Sequence, residues 1–172
     1  MDKVDKQGMY KIYDIWAQLA RDCYDRKYDS IDYKNIDHIV FAGMGGSGAI
    51  GDLFSAILSK TNIHVSLVKG YILPKTVDAN TLVITVSVSG NTVETLTILN
   101  AAQKLDCKLL AFSSGGKMEE FCKKNRVEYR NIQQIHSPRA SFINYVYSIL
   151  GTLKCIADPL CGRFGLCHRL QR

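Results

Sequence analysis

Leu82-Val83-Ile84-Thr85-Val86-Ser87-Val88-Ser89-Gly90-Asn91-Thr92-Val93-Glu94-Thr95 is the stretch that decides the architecture. Its first half is an almost unbroken run of branched apolar residues. Such a run lacks the alternation of a half-exposed strand, so it predicts a strand over Thr81 to Val88 covered on both faces. The second half turns at Gly90 and enters a helix expected from Thr92 to Lys104, with Asn91 and Glu94 placed to cap it.

The same unit recurs on either side. Upstream, Ile36 to Ala42 is a second branched run that stops at Gly43-Met44-Gly45-Gly46-Ser47-Gly48, and Ala49 to Leu58 then has helical spacing. His64 to Lys69, Lys108 to Ser113 and Val127 to Ile132 read as further strands. Met118 to Lys124 and Ser141 to Leu153 read as helices. Met9, Ile12, Tyr13, Trp16, Leu19, Ala20 and Cys23 fall on one stripe of a single covering helix over 9–24. Strands alternating with helices predict a doubly wound, three-layer α/β/α sandwich on a parallel sheet of about five strands. In such sheets ligands bind beyond the carboxyl ends of the strands.

Composition narrows the class. The chain has 172 residues, 47% hydrophobic and 22% charged, with three prolines, which excludes a disordered or collagen-like protein. No apolar run approaches the roughly 18–20 residues of a membrane span. The opening residues show no secretory signal, so a cytoplasmic location is expected, with no membrane partner. The net charge is +6. Its basic side chains Lys117, Lys123, Lys124, Arg126 and Arg130 alternate with Glu119, Glu120 and Glu128, a solvated pattern without stacking aromatics. Nucleic acid is therefore not an expected partner, and a small anion suits the balance. None of the six cysteines forms a Cys-x-x-Cys pair, and the grouping of Cys155, Cys161, Cys167 and His168 has unusual spacing for zinc. No metal and no cofactor are expected.

Two loops carry the chemistry. In Gly43 to Gly48 the glycines let backbone approach a ligand, the following helix offers free amides, and Ser47 adds a hydroxyl. Gly43, Gly45 and Gly48 also satisfy the dinucleotide pattern Gly-x-Gly-x-x-Gly. The acidic residue expected about 20 residues on is missing, because the second strand ends at Val68-Lys69-Gly70. Lys69 leaves an NADP-binding alternative open. In the second loop Ser87, Ser89 and Thr92 place three hydroxyls where another helix begins, a neutral cradle for phosphate.

Gly43 to Asp52 and Ser87 to Thr95 resemble the signature loops of the sugar isomerase (SIS) domain, and more narrowly the amino-terminal half of bifunctional phosphoglucose/phosphomannose isomerases. Ser137-Pro138-Arg139-Ala140-Ser141 resembles that family's Pro-Arg segment entering a helix. The resemblance runs to about Leu153. It implies phosphate binding by Gly46, Ser47, Ser87, Ser89 and Thr92, and an Arg139 that stabilises an enediolate while fructose 6-phosphate is exchanged with glucose 6-phosphate or mannose 6-phosphate. His136 is a weaker candidate for the same site. The resemblance also implies pairing of domains, so a homodimer or association through an apolar face is expected.

The family's chains are about twice as long, with a second SIS domain that supplies the base. The four glutamates here, Glu94, Glu119, Glu120 and Glu128, sit in no matching context. The expected organisation is an SIS domain over 1–154 and an atypical tail over 155–172, read as a truncation or frameshift. The resulting expectation is a sugar-phosphate-binding domain that is incomplete for catalysis alone. The alternative is a non-catalytic module that binds or senses a phosphorylated sugar.

Overall fold

The computed structural model describes residues 5–29, 31 and 33–153. The elements in chain order are α1 (Met9–Asp14), α2 (Trp16–Asp25), β1 (His38–Ala42), α3 (Gly45–Leu58), β2 (His64–Val68), β3 (Thr81–Ser87), α4 (Val93–Ala102), β4 (Lys108–Ser113), α5 (Gly116–Asn125), β5 (Glu128–Asn131) and α6 (Phe142–Thr152). The five strands form one all-parallel sheet in the order β2-β1-β3-β4-β5. The three-layer expectation holds.

Burial follows position in the sheet. Every residue of the inner strands β1 and β3 is buried, whereas the edge strands β2 and β5 are partly exposed. One face packs Ile39, Phe41, Leu82, Ile84 and Phe112 against Ile50 and Phe54 of α3 and Tyr145 and Ile149 of α6. The other face sets Val40, Ala42 and Val83 against Ile98 and Ala102 of α4, and Ala111 against Met118 and Cys122 of α5. Helices therefore cover both faces, which is why β1 and β3 are buried along their whole length, the polar Thr81, Thr85 and Ser87 included.

The chain winds in opposite directions from β1 and from β3. From β1 it crosses through α3 to β2 on one side; from β3 it crosses through α4 to β4 on the other. The carboxyl ends of β1 and β3 lie side by side at this reversal, where a crevice opens in doubly wound sheets. The two loops singled out in the sequence leave these two strands.

The structure differs from expectation in two places. The covering helix is two helices, because the Ile15 amide turns to Tyr13 O and ends α1 before α2 begins. The apolar stripe persists across this break, so periodicity alone could not show it. Second, α3 starts at Gly45, four residues before Ala49, and takes Gly45 to Gly48 into its first turn.

Candidate functional site

The first loop is a very short one. Gly43 donates its amide to Val68 O at 3.1 Å, Met44 is extended and caps α3 without a side-chain bond, and the helix begins. A Cβ on Gly43 would sit 2.9 Å from the Ser47 carbonyl carbon, so the tight reversal requires glycine. The amides of Ser47 and Gly48 turn back to Met44 O, at 3.0 and 3.3 Å. Those of Gly45 and Gly46 make no hydrogen bond among the described residues, and both glycines are exposed. Ser47, half-buried, has no side-chain partner among those residues. The helix start thus presents free N–H groups and the positive end of α3, a natural seat for an anion.

The second loop is more constrained. Ser87, buried at the end of β3, and Thr92, capping α4, are joined through their hydroxyls at 2.9 Å. The Gly90 amide donates to Ser87 O at 3.0 Å and the Asn91 amide to Ser89 Oγ at 3.3 Å. Gly90 has φ +68°, and a Cβ there would lie 1.7 Å from Gly115 O. No other residue fits. The hydroxyls of Thr85 and Thr95 are buried and unpartnered among the described residues, two positions before Ser87 and three after Thr92. They leave the floor of the loop with unused hydrogen-bonding capacity.

A third loop, Ser113 to Gly116, braces the second and was not singled out from the sequence. Ser114 donates to Val88 O through its amide at 3.0 Å and its hydroxyl at 2.6 Å, while the Met118 amide donates to Gly90 O at 2.9 Å. Asn91 does not cap α4. Its side-chain nitrogen donates to Ser89 O at 3.0 Å and its oxygen accepts from the Lys117 amide at 3.1 Å. Glu94 does not complete a capping box either; its carboxylate lies near the Tyr71 phenol and raises that group's pKa. Because β1 lies between β2 and β3, this contact carries the chain after β2 across to the start of α4.

The Pro-Arg segment lies at the same edge of the sheet. Ser141 Oγ donates to Ser137 O at 2.8 Å and accepts from the Ile135 amide at 2.8 Å, and the buried Tyr145 hydroxyl donates to Ile132 O at 3.2 Å. These bonds fix the turn before α6, which packs beside α3 on one face. Arg139 is exposed in that turn, and its guanidinium has no hydrogen bond or ion pair among the described residues. His136 has φ +55°, and its Nε2 lies 2.9 Å from Gln7 O, which ties the turn to the chain entering α1. Lys69 is not free for a nucleotide phosphate: its ammonium holds both Asp52 carboxylate oxygens at 2.8 and 2.7 Å. The cysteine and histidine grouping after Leu153 lies outside the described residues.

The SIS domain model matches residues 32–131, which contain both loops. A bifunctional phosphoglucose/phosphomannose isomerase from Caldicellulosiruptor bescii is 36% identical over 133 residues, covering 76% of this chain and 39% of the relative. A D-glucosamine-6-phosphate 4-epimerase from Sulfolobus acidocaldarius is 30% identical over 143 residues, covering 83% of this chain and 44% of the relative. Among solved structures, the NanR protein of Vibrio vulnificus, complexed with ManNAc-6P, superposes with a TM-score of 0.61 at 17% identity, covering 90% of this chain and 64% of that one. That likeness is one of fold. The chain spans less than half the length of these two curated relatives. With the signature loops at the switch point of the sheet and the family model spanning them, the chain belongs to the SIS domain family.

Proposed function

We propose that the chain binds the phosphate of a phosphorylated hexose in the crevice between the ends of β1 and β3. The observation that carries this reading is the pairing of two phosphate-compatible loops at the switch point. Exposed amides of Gly45 and Gly46, unbonded among the described residues, start one helix, and the Ser87–Thr92 hydroxyl pair stands at the start of the next. In this reading Gly46, Ser47, Ser87, Ser89 and Thr92 hold the phosphate. Helix N-termini and hydroxyls can do so without a fixed counter-charge.

The reaction proposed for the whole protein is aldose–ketose exchange of fructose 6-phosphate with glucose 6-phosphate or mannose 6-phosphate. Proton transfer between adjacent carbons passes through an enediolate and needs a base, an acid and a cation near the developing negative oxygen. Arg139 is the proposed cation, supported by its guanidinium, exposed and unpaired among the described residues, at the carboxyl edge of the sheet. A base is harder to place here. Glu94 lies beside the Tyr71 phenol at the start of α4, Glu119 is paired with Lys123 at 2.8 Å, Glu128 is paired with Arg130, and Glu120 lies exposed on α5. The chain is therefore proposed as a binding domain that is incomplete for turnover, with the SIS unit over 1–154 and a separate tail over 155–172. It is further proposed to act in the cytoplasm and to self-associate through exposed apolar residues such as Ile72 and Val93.

Turnover decides between this reading and a stand-alone sensing module. Fructose 6-phosphate incubated with the purified 172-residue chain is expected to stay unconverted. The same incubation with the missing half of the relatives supplied in trans is expected to yield the aldose phosphates. Turnover by the chain alone would overturn the incomplete-enzyme reading, and inactivity of both mixtures would favour a sensing role.

A further inference from the structure

The edge of the sheet opposite the crevice carries a polar cluster that phosphate binding does not use. His38 opens β1 and is the register partner of His64, which opens β2, and of Thr81, which opens β3. Partners on adjacent parallel strands point to the same face, so both imidazoles stand side by side with ring centroids 5.0 Å apart. Both present Nε2 to one atom: Ser66 Oγ lies 2.9 Å from His38 Nε2 and 3.2 Å from His64 Nε2.

Proton placement in the cluster follows from its bonds. Thr81 donates its only hydroxyl proton to Asp78 Oδ1 at 2.9 Å, so its contact with His38 Nδ1 at 3.3 Å requires the nitrogen to be the donor. Neutral His38 therefore carries its proton on Nδ1 and a lone pair on Nε2. A histidine that ligates a metal is commonly held this way, with its remote N–H directed into a carboxylate or an oxygen bonded to one. His38 is only 6% exposed, so its ring is held in place at the start of β1. His64 is exposed, so solvent reaches the pair and its ring is free to change tautomer. Asp37 and Asp78 add negative charge around His38.

We propose that His38 and His64 chelate a divalent transition-metal ion of the zinc, nickel or copper class through their Nε2 atoms, with the Ser66 hydroxyl beside it. Bonds of about 2.0–2.1 Å to each nitrogen require a modest turn of the exposed His64. Among the described residues no three His, Cys, Asp or Glu side chains gather to hold an ion, so the protein supplies two nitrogens and water completes the shell. Affinity is then expected to follow ligand chemistry, with copper above nickel and zinc.

The test is a calorimetric titration of Ni²⁺ into the full chain at neutral pH, repeated with His64→Gln and Thr81→Val and accompanied by a Co²⁺ absorption spectrum. One site is expected in the wild type. His64→Gln, altered at an exposed position, should keep the wild-type melting curve and weaken binding at least about tenfold, and Thr81→Val should weaken it by about tenfold through the outer shell. The Co²⁺ spectrum should lack a thiolate charge-transfer band, separating this pair from the cysteines. Absence of binding up to millimolar metal, equal affinity in His64→Gln, or a thiolate band on the site lost in that variant would each overturn the proposal.

Discussion

Ser87 at the end of β3 and Thr92 at the start of α4 share a hydroxyl–hydroxyl hydrogen bond of 2.9 Å that closes the loop between them. One of the two oxygens keeps a free lone pair or proton whichever way the bond runs, so the pair can hold the loop and still meet a ligand. Thr92→Val keeps the shape and removes this bond. It should cost about 1 kcal/mol of unfolding free energy and weaken binding of inorganic phosphate and sugar phosphates. Chemical denaturation and calorimetry measure the two effects separately; unchanged phosphate affinity would remove Thr92 from the site.

Gly90→Ala tests the bracing of the loop by the α5 start. Its Cβ would overlap Gly115 O in a backbone at φ +68°, so both conformation and space oppose it. A loss of at least about 2 kcal/mol is expected, within the range of strained loop and overpacking substitutions. Thermal unfolding followed by circular dichroism checks this; a stability within about 0.5 kcal/mol of wild type, the range of an ordinary surface change, would contradict the close approach.

Acid stability should depend on His38. Burial and the neighbouring His64 hold its pKa below the usual 6.5, against smaller opposing effects of Thr76, Asp78 and Asp37. The unfolded chain then binds the proton more readily than the folded one. This contribution to stability is complete above about pH 6.5 and is lost as pH falls below it. Melting temperature should decline from pH 7.5 to 5.5 more steeply in the wild type than in His38→Gln, and parallel slopes would contradict the assignment.

The architecture was legible because the inner strands are buried on both faces. Val83 and Ile84 pack in opposite layers, so apolar residues face both ways, and with Thr85 the one polar residue between Leu82 and Val86 the run has the pattern of a strand covered on both faces. The two loops were legible because glycines and hydroxyls cluster between strand and helix. Local reasoning failed where a distant partner intervened. Asn91 reads as a helix cap until the Lys117 amide, 26 positions on, takes its oxygen. Glu94 reads as the partner of that cap until Tyr71 meets it from the far side of β1. The His38–His64 pair was invisible because register, not spacing, brings it together.

Arg139 separates binding from chemistry. Arg139→Ala should leave the fold intact, since the exposed guanidinium is unpaired among the described residues. It should change the melting temperature by less than about 2 °C, as an ordinary surface substitution does. With the second half supplied, turnover of fructose 6-phosphate should fall at least about a hundredfold, the scale of losing an oxyanion-stabilising donor. Retained turnover would assign the enediolate contact elsewhere.

The central claim is a phosphate seat at the ends of β1 and β3. Its most direct test is a calorimetric titration of fructose 6-phosphate into the wild-type chain and into Ser87→Ala, with melting curves to confirm that both are folded. Saturable binding by the wild type and its loss in the folded variant is the predicted result; no binding by the wild type, or equal binding by both, would contradict it.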